Sequence, residues 1–220
     1  MINVAIDGPA GAGKSTIAKA VAKKLNFIYV DTGALYRAIA YSAVKSGAID
    51  DNKKIVSMLK DIKIELKYNN GTQAVFLNGE DVSAYIRTPE ISMGASKVSA
   101  IPEVRAFLLD LQRDIAKNNN VIMDGRDIAT VVLPNADVKI FLFASPERRA
   151  ERRYKELIEK GESVTFDEVL ADVNKRDYQD SHREIAPLKP CETSIMADTS
   201  DKSLEESISY IISLIEENIK

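Results

Sequence analysis

Ile2-Asn3-Val4-Ala5-Ile6 is a short apolar run that gives way to glycine, after which Ile17, Val21 and Leu25 recur four residues apart. The first pattern predicts a buried strand and the second an amphipathic helix over Lys14 to Leu25. Phe27 to Val30 reads as a second strand. Leu35, Ile39 and Ala43 then mark one face of a helix over Ala34 to Ser46, closed by Gly47. A further helix is expected over Asn52 to Leu59. Strand, helix, strand, helix is the order of a parallel sheet covered by helices.

The period then changes. Ile62, Ile64, Leu66 and Tyr68 alternate, Asn70-Gly71 turns, Val75 and Leu77 alternate, and Asn78-Gly79 turns again. This predicts an antiparallel meander inserted into a parallel fold. Thr88-Pro89 and Ile101-Pro102 each place proline at a first helical position, and the second helix runs to about Lys117 through Val104, Leu108, Leu111 and Ile115. The parallel pattern resumes with Val121-Ile122-Met123 and with Val138 to Phe143. Ser145-Pro146-Glu147 starts the next helix, and capping boxes at Thr165 with Glu168 and at Ser203 with Glu206 start two more. A last strand is expected around Thr193 to Met196.

Composition narrows the chemistry. The chain has 220 residues, 45% of them hydrophobic, and a net charge of -3, enough for one α/β domain with an insertion. No apolar run approaches the ~20 residues of a membrane span, and the first residues lack a secretory pattern, so a cytoplasmic protein without a membrane partner is expected. The single cysteine, Cys191, and the single histidine, His182, argue against an internal disulfide and a zinc site. The slightly acidic balance argues against a nucleic-acid partner. The lack of an exposed apolar repeat or heptad favours a monomer.

The sharpest signal is Gly8-Pro9-Ala10-Gly11-Ala12-Gly13-Lys14-Ser15, between the first strand and the first helix. Glycines at this spacing let consecutive backbone N–H groups surround a phosphate chain at a helix N-terminus whose dipole favours anions. Lys14 supplies a charge for the β- and γ-phosphates, and Ser15 a hydroxyl for Mg²⁺. Gly8 to Thr16 are therefore assigned to a nucleoside triphosphate, with Mg²⁺ as its companion ion; the family resemblance given below makes that nucleotide ATP. Asp124 is a candidate for a further Mg²⁺ contact, or for a cap. Asn174-Lys175-Arg176-Asp177 resembles a guanine-reading tetrapeptide, but it lies within a predicted helix, and the chain contains no D-x-x-G. A GTPase reading fails on both points.

Arginines are unevenly spread. Arg148, Arg149, Arg152 and Arg153 crowd one helix, and Arg176, Asp180 and Arg183 are spaced to share one face of another. The cluster alone fits a solvated charged face as well as it fits an anion site. Arg37, Arg126 and Arg183, near the ends of predicted elements, better fit a phosphate acceptor, whose charge several guanidiniums must offset.

These residues resemble the bacterial cytidylate kinases, within the nucleoside monophosphate kinase group, over essentially the whole chain. The likeness rests on Asp7 to Thr16, Asp31-Thr32-Gly33-Ala34-Leu35-Tyr36-Arg37, Ile86-Arg87-Thr88, Asp124-Gly125-Arg126-Asp127, Val138 to Phe141 and Ile185-Ala186-Pro187-Leu188. It implies a three-layer α/β P-loop NTPase fold with a five-stranded parallel sheet. The core would comprise residues 1–33, 119–144 and 186–220, with an acceptor-binding region at 34–118 that includes the antiparallel insert, and a helical lid at 145–185. It implies that Ser96, Arg105 and Asp127 read cytosine, that Arg176 and Asp180 contact the ribose, and that Thr32, Arg37, Arg126 and Arg183 bind the acceptor. Lys14, Arg126, Arg153 and Arg183 would form the catalytic set. His182 matches no motif and reads as a surface residue.

The implied reaction moves the ATP γ-phosphoryl group to CMP or dCMP. An acceptor phosphate is already ionised, so no general base is expected. A kinase for another small acceptor, and a binding module that holds ATP without turnover, are the competing readings.

Overall fold

The structure, a computed structural model, describes residues 1–69 and 72–219. The expected Asn70-Gly71 turn lies outside the described residues. The elements run β1 (Asn3–Asp7), α1 (Lys14–Leu25), β2 (Ile28–Asp31), α2 (Thr32–Lys45), α3 (Asn52–Met58), β3 (Ile64–Asn69), β4 (Thr72–Leu77), β5 (Glu80–Asp81), α4 (Pro89–Val98) and α5 (Pro102–Asn118). They continue with β6 (Val121–Gly125), β7 (Val138–Phe143), α6 (Pro146–Glu159), α7 (Phe166–His182), β8 (Ile195–Asp198) and α8 (Leu204–Asn218). A 3₁₀ turn at Leu59–Asp61 extends α3, and a π-helical turn occupies Ile128–Val132.

Five strands form one sheet in the order β2-β6-β1-β7-β8, and three form a second in the order β3-β4-β5. β1 pairs parallel with β7, Val4 opposite Val138, and β7 parallel with β8, Ile140 opposite Ile195. β3 and β4 are antiparallel, Ile64 opposite Leu77, so the parallel core and the antiparallel insert are both present. The Asn78-Gly79 turn forms as the sequence predicts, both residues at positive φ (50 and 87°), as a tight hairpin of this kind requires.

The chain divides into two compact units. One is Ile28–Val121 with Met1, and the other is Ile2–Phe27 with Ile122–Lys220. In the first, Leu35, Ile39, Ile55, Ile86 and Leu108 form the centre of the core. In the second, Ile6, Ile122, Met123, Ile140, Leu142 and Ile211 are fully enclosed.

Several boundaries differ from the sequence reading by a residue or two, and three of them have a local reason. α2 begins at Thr32 rather than Ala34, because the Asp31 carboxylate accepts from Ala34 N at 2.9 Å and caps the helix two residues early. β8 is shifted to Ile195–Asp198 because Ser194 N donates to Cys191 O at 3.0 Å, committing Thr193 to a turn. α7 ends at His182, and Arg183 leaves it with φ -66 and ψ 141, outside the helical region.

Candidate active site

The phosphate loop leaves the carboxyl end of β1, between β6 and β7 in the sheet, the end at which open α/β sheets bind ligands. Gly8 has φ +149, and a Cβ there would lie 1.9 Å from Leu142 O, so only glycine lets the chain pass β7. Gly13, at φ 85, turns the loop into α1 without a side-chain cap, leaving first-turn N–H groups open to an anion.

Lys14 is buried, 5% exposed, and Nζ donates to Pro9 O at 2.7 Å. Burial first, then the Arg126 charge, pulls its ammonium well below the usual lysine range. Incoming phosphate charge reverses that balance. Ser15 Oγ donates to Asp124 Oδ2 at 2.8 Å, so a hydroxyl and a buried carboxylate meet just below the loop. Two oxygen donors of this kind suit Mg²⁺, which keeps waters and takes phosphate oxygens for the rest of its shell. Among the described residues there is no cluster of three His, Cys, Asp or Glu side chains that could hold a metal by itself.

Two further residues of this unit bear on the loop, and the sequence reading gave neither a role. Asp7, 2% exposed, accepts from Ile128 N and Ala129 N, both at 2.8 Å, tying the end of β1 to the π-helical turn. Burial pushes its carboxyl up to about 6 against the opposing pull of those two N–H groups. Arg149 is also 2% exposed and donates to Ala144 O at 2.9 Å, to Ala10 O of the loop at 3.0 Å and to both oxygens of Asp177. Neither signal is readable in isolation: Asp7 falls just after the predicted first strand, and Arg149 is one of four arginines crowded on one helix.

The remaining arginines of this unit separate by environment. Arg126 Nε donates to Asp180 Oδ2 at 2.7 Å. Arg183 Nε donates to Ala186 O at 2.6 Å, and its NH2 lies 3.6 Å from Asp127 Oδ1. Because Arg183 stands past the end of α7, the helical face expected for Arg176, Asp180 and Arg183 does not extend to it. Arg176 is exposed on α7 and Asp180 buried. Arg153 pairs with Glu156 at 2.9 Å on an exposed face of α6, as does Arg148 with Glu151 at 3.1 Å. Arg152 NH2 donates to Thr199 O at 2.9 Å, and its NH1 lies 3.8 Å from where a Gly13 Cβ would stand. Arg148 and Arg152 also line a cavity of about 440 Å³ with Lys155, Ser200 and Lys202.

The other unit carries Thr32, Arg37, Ser96 and Arg105. Thr32 is buried at the start of α2. Arg37 NH2 meets Asp31 Oδ2 at 2.8 Å, and Arg87, to which the sequence reading gave no role, meets the same oxygen at 3.3 Å. Arg105, 9% exposed, donates to Ser99 O at 3.3 Å and stands 5.8 Å over the Tyr36 ring. Ser99 Oγ in turn donates to Ser96 O at 2.9 Å, so the C-terminal turn of α4 links Ser96 to Arg105. The structure thus groups Lys14, Ser15, Asp124, Arg126, Asp127, Asp180 and Arg183 in one unit and these four residues in the other.

A family model described as cytidylate kinase matches residues 4–217. A cytidylate kinase of Caldicellulosiruptor bescii is 50% identical over 100% of this chain and 97% of its own. A cytidylate kinase of Ligilactobacillus salivarius is 49% identical over 98% of this chain and 97% of its own. Among solved structures, an uncharacterized protein from Eubacterium ventriosum aligns with a TM-score of 0.52 at 13% identity, covering 98% of each chain, a likeness of fold alone.

Proposed function

Because the chain belongs to the cytidylate kinase family, and is an ATP-dependent nucleoside monophosphate kinase, we propose that the residues described above move the ATP γ-phosphoryl group onto the 5′-phosphate of CMP or dCMP. The observation that carries the assignment of the donor side is Lys14, buried and held on a loop carbonyl beside Ser15 and Asp124.

Loop N–H groups and Lys14 hold the donor phosphates, while Ser15 and Asp124 would hold Mg²⁺. When bound, that ion screens phosphate charge and orients the chain of phosphates. Arg126 and Arg183, with Arg153 from the lid, offset charge on the transferring group, and Arg37 with Thr32 holds the acceptor phosphate. Asp180 and Arg176 hold the ribose. Asp127 accepts from the exocyclic amine of cytosine, and Arg105 with Ser96 donates to the ring nitrogen and carbonyl oxygen; uracil puts an acceptor in place of the amine and a donor in place of the ring nitrogen's lone pair.

Residues 34–118 are read as the acceptor-binding region and 145–185 as the lid, which excludes water from the reacting phosphates. The acceptor oxygen is ionised near neutral pH, so positioning and charge suffice and no imidazole is called on. The same reading makes the enzyme a monomer working on free nucleotides in the cytoplasm.

The test is ADP release with ATP and Mg²⁺ against parallel acceptors. Turnover is expected with CMP and dCMP and lost on chelation. Turnover confined to AMP, GMP or UMP overturns the assignment of Ser96, Arg105 and Asp127, and silence with every acceptor overturns the kinase reading.

A further inference from the structure

Gln73 is a polar residue where the strand pattern calls for an apolar one. Side chains two apart on a strand share a face, and Val75 and Leu77, the next two on the face of β4 that carries Gln73, are buried in the core of their unit. A half-buried amide on that face is costly unless its hydrogen bonds are made. Both are made to one residue: Gln73 Oε1 accepts from Asp31 N at 2.9 Å, and Nε2 donates to Asp31 O at 3.4 Å. The insert thereby holds the backbone of the residue that ends β2.

Asp31 is itself fully used. It is 4% exposed, one carboxylate oxygen caps α2 through Ala34 N, and the other takes Arg37 at 2.8 Å and Arg87 at 3.3 Å. Two guanidiniums on one carboxylate leave a surplus positive charge beside it. Arg37 Nε is buried without a hydrogen-bond partner. The side chain is therefore oriented by Asp31 and still has a donor to give.

We propose that Gln73 is a positioning residue for the acceptor: by fixing the Asp31 backbone, the antiparallel insert sets the direction of Arg37. This rests on the reading above that Arg37 holds the acceptor phosphate. The insert thus has a part in the reaction through one amide side chain, with no contact to substrate of its own.

The experiment is steady-state kinetics on the full chain for Gln73→Met, Arg37→Ala and the double variant, varying CMP and ATP separately. Methionine keeps the length of glutamine and removes both hydrogen bonds, and Gln73→Ala serves in its place if the methionine variant does not fold. Loss of these bonds predicts a KM for CMP raised about three- to tenfold, with kcat and the KM for ATP within about twofold. In the Arg37→Ala background the same change adds less than about twofold, because the group being positioned is gone. A Gln73→Met enzyme with unaltered KM for CMP, beside an Arg37→Ala enzyme in which it rises, overturns the inference and leaves the acceptor reading standing. Full additivity in the double variant also overturns it. An Arg37→Ala enzyme with unaltered KM overturns both.

Discussion

Arg149 presents its two terminal nitrogens to the two oxygens of Asp177, and the same guanidinium reaches Ala10 O in the phosphate loop at 3.0 Å. α6, α7 and the loop are joined through one side chain that is 2% exposed. A planar fork can make all these bonds at once and an ammonium cannot.

Arg149→Lys therefore destabilises the protein by about 1–3 kcal/mol, and Arg149→Ala by about 3–5 kcal/mol because it leaves a partly enclosed carboxylate unpaired. Urea unfolding of the three proteins checks this. Equal midpoints for all three would show that the joint contributes nothing to stability.

Arg126 differs from Arg149 in being only partly engaged, its side chain 24% exposed and its Nε on Asp180. NH1 also reaches Gly125 O at 3.3 Å, which leaves NH2 available to a phosphate. Arg126→Ala lowers kcat by about 10²–10³, the scale for removing one charge-stabilising donor from a transition state. Unfolding of the same variant shifts by no more than about 3 kcal/mol, the cost of leaving Asp180 unpaired. Unchanged turnover in a folded variant would remove Arg126 from the catalytic set.

Asp127 bears on specificity. Asp127→Asn replaces a carboxylate acceptor with an amide that also donates, and uracil presents an acceptor where cytosine presents an amine. The ratio of kcat/KM for CMP over UMP falls by about 10-fold or more, the lower range for loss of one good base-reading contact. An unchanged ratio would take Asp127 out of the base-reading set.

Asp7 gives the protein a pH signature. Its carboxyl is raised from 3.8 to about 6, so the folded state binds more protons than the unfolded state between those values. Its contribution is fully present below the unfolded value and is lost as pH rises through the folded one. Asn cannot titrate, so the stability of the natural protein relative to Asp7→Asn increases by about 1 kcal/mol from pH 7 to pH 5. Urea unfolding of both proteins at the two pH values measures it. A constant difference, or one that shrinks on acidification, would contradict the environment found for Asp7.

Periodicity made the strands and helices legible because each element buries one face: Ile17, Val21 and Leu25 along α1, and the alternation at Ile64 and Leu66 in β3. The glycine loop was legible because its strand and helix are local in sequence. Boundaries fixed by side chain to backbone bonds were not: Asp31 capping α2 and the Cys191 to Ser194 turn leave no hydrophobic trace. Long-range pairs were hidden for the same reason. Arg149 meets Asp177, Asp7 meets Ile128 and Ala129, and Gln73 meets Asp31 across separations that no pattern in the chain reports. Gln73 did carry a faint local sign, as a polar residue in phase with Val75 and Leu77.

The central claim is that the phosphoryl group of ATP ends on the phosphate of CMP. Phosphorus NMR of ATP, Mg²⁺ and CMP with the enzyme reports where each phosphate goes. The account predicts that the CMP resonance is replaced by the paired resonances of CDP in step with formation of ADP, with no inorganic phosphate released. ADP accumulating together with inorganic phosphate, while the CMP resonance stays intact, would contradict it.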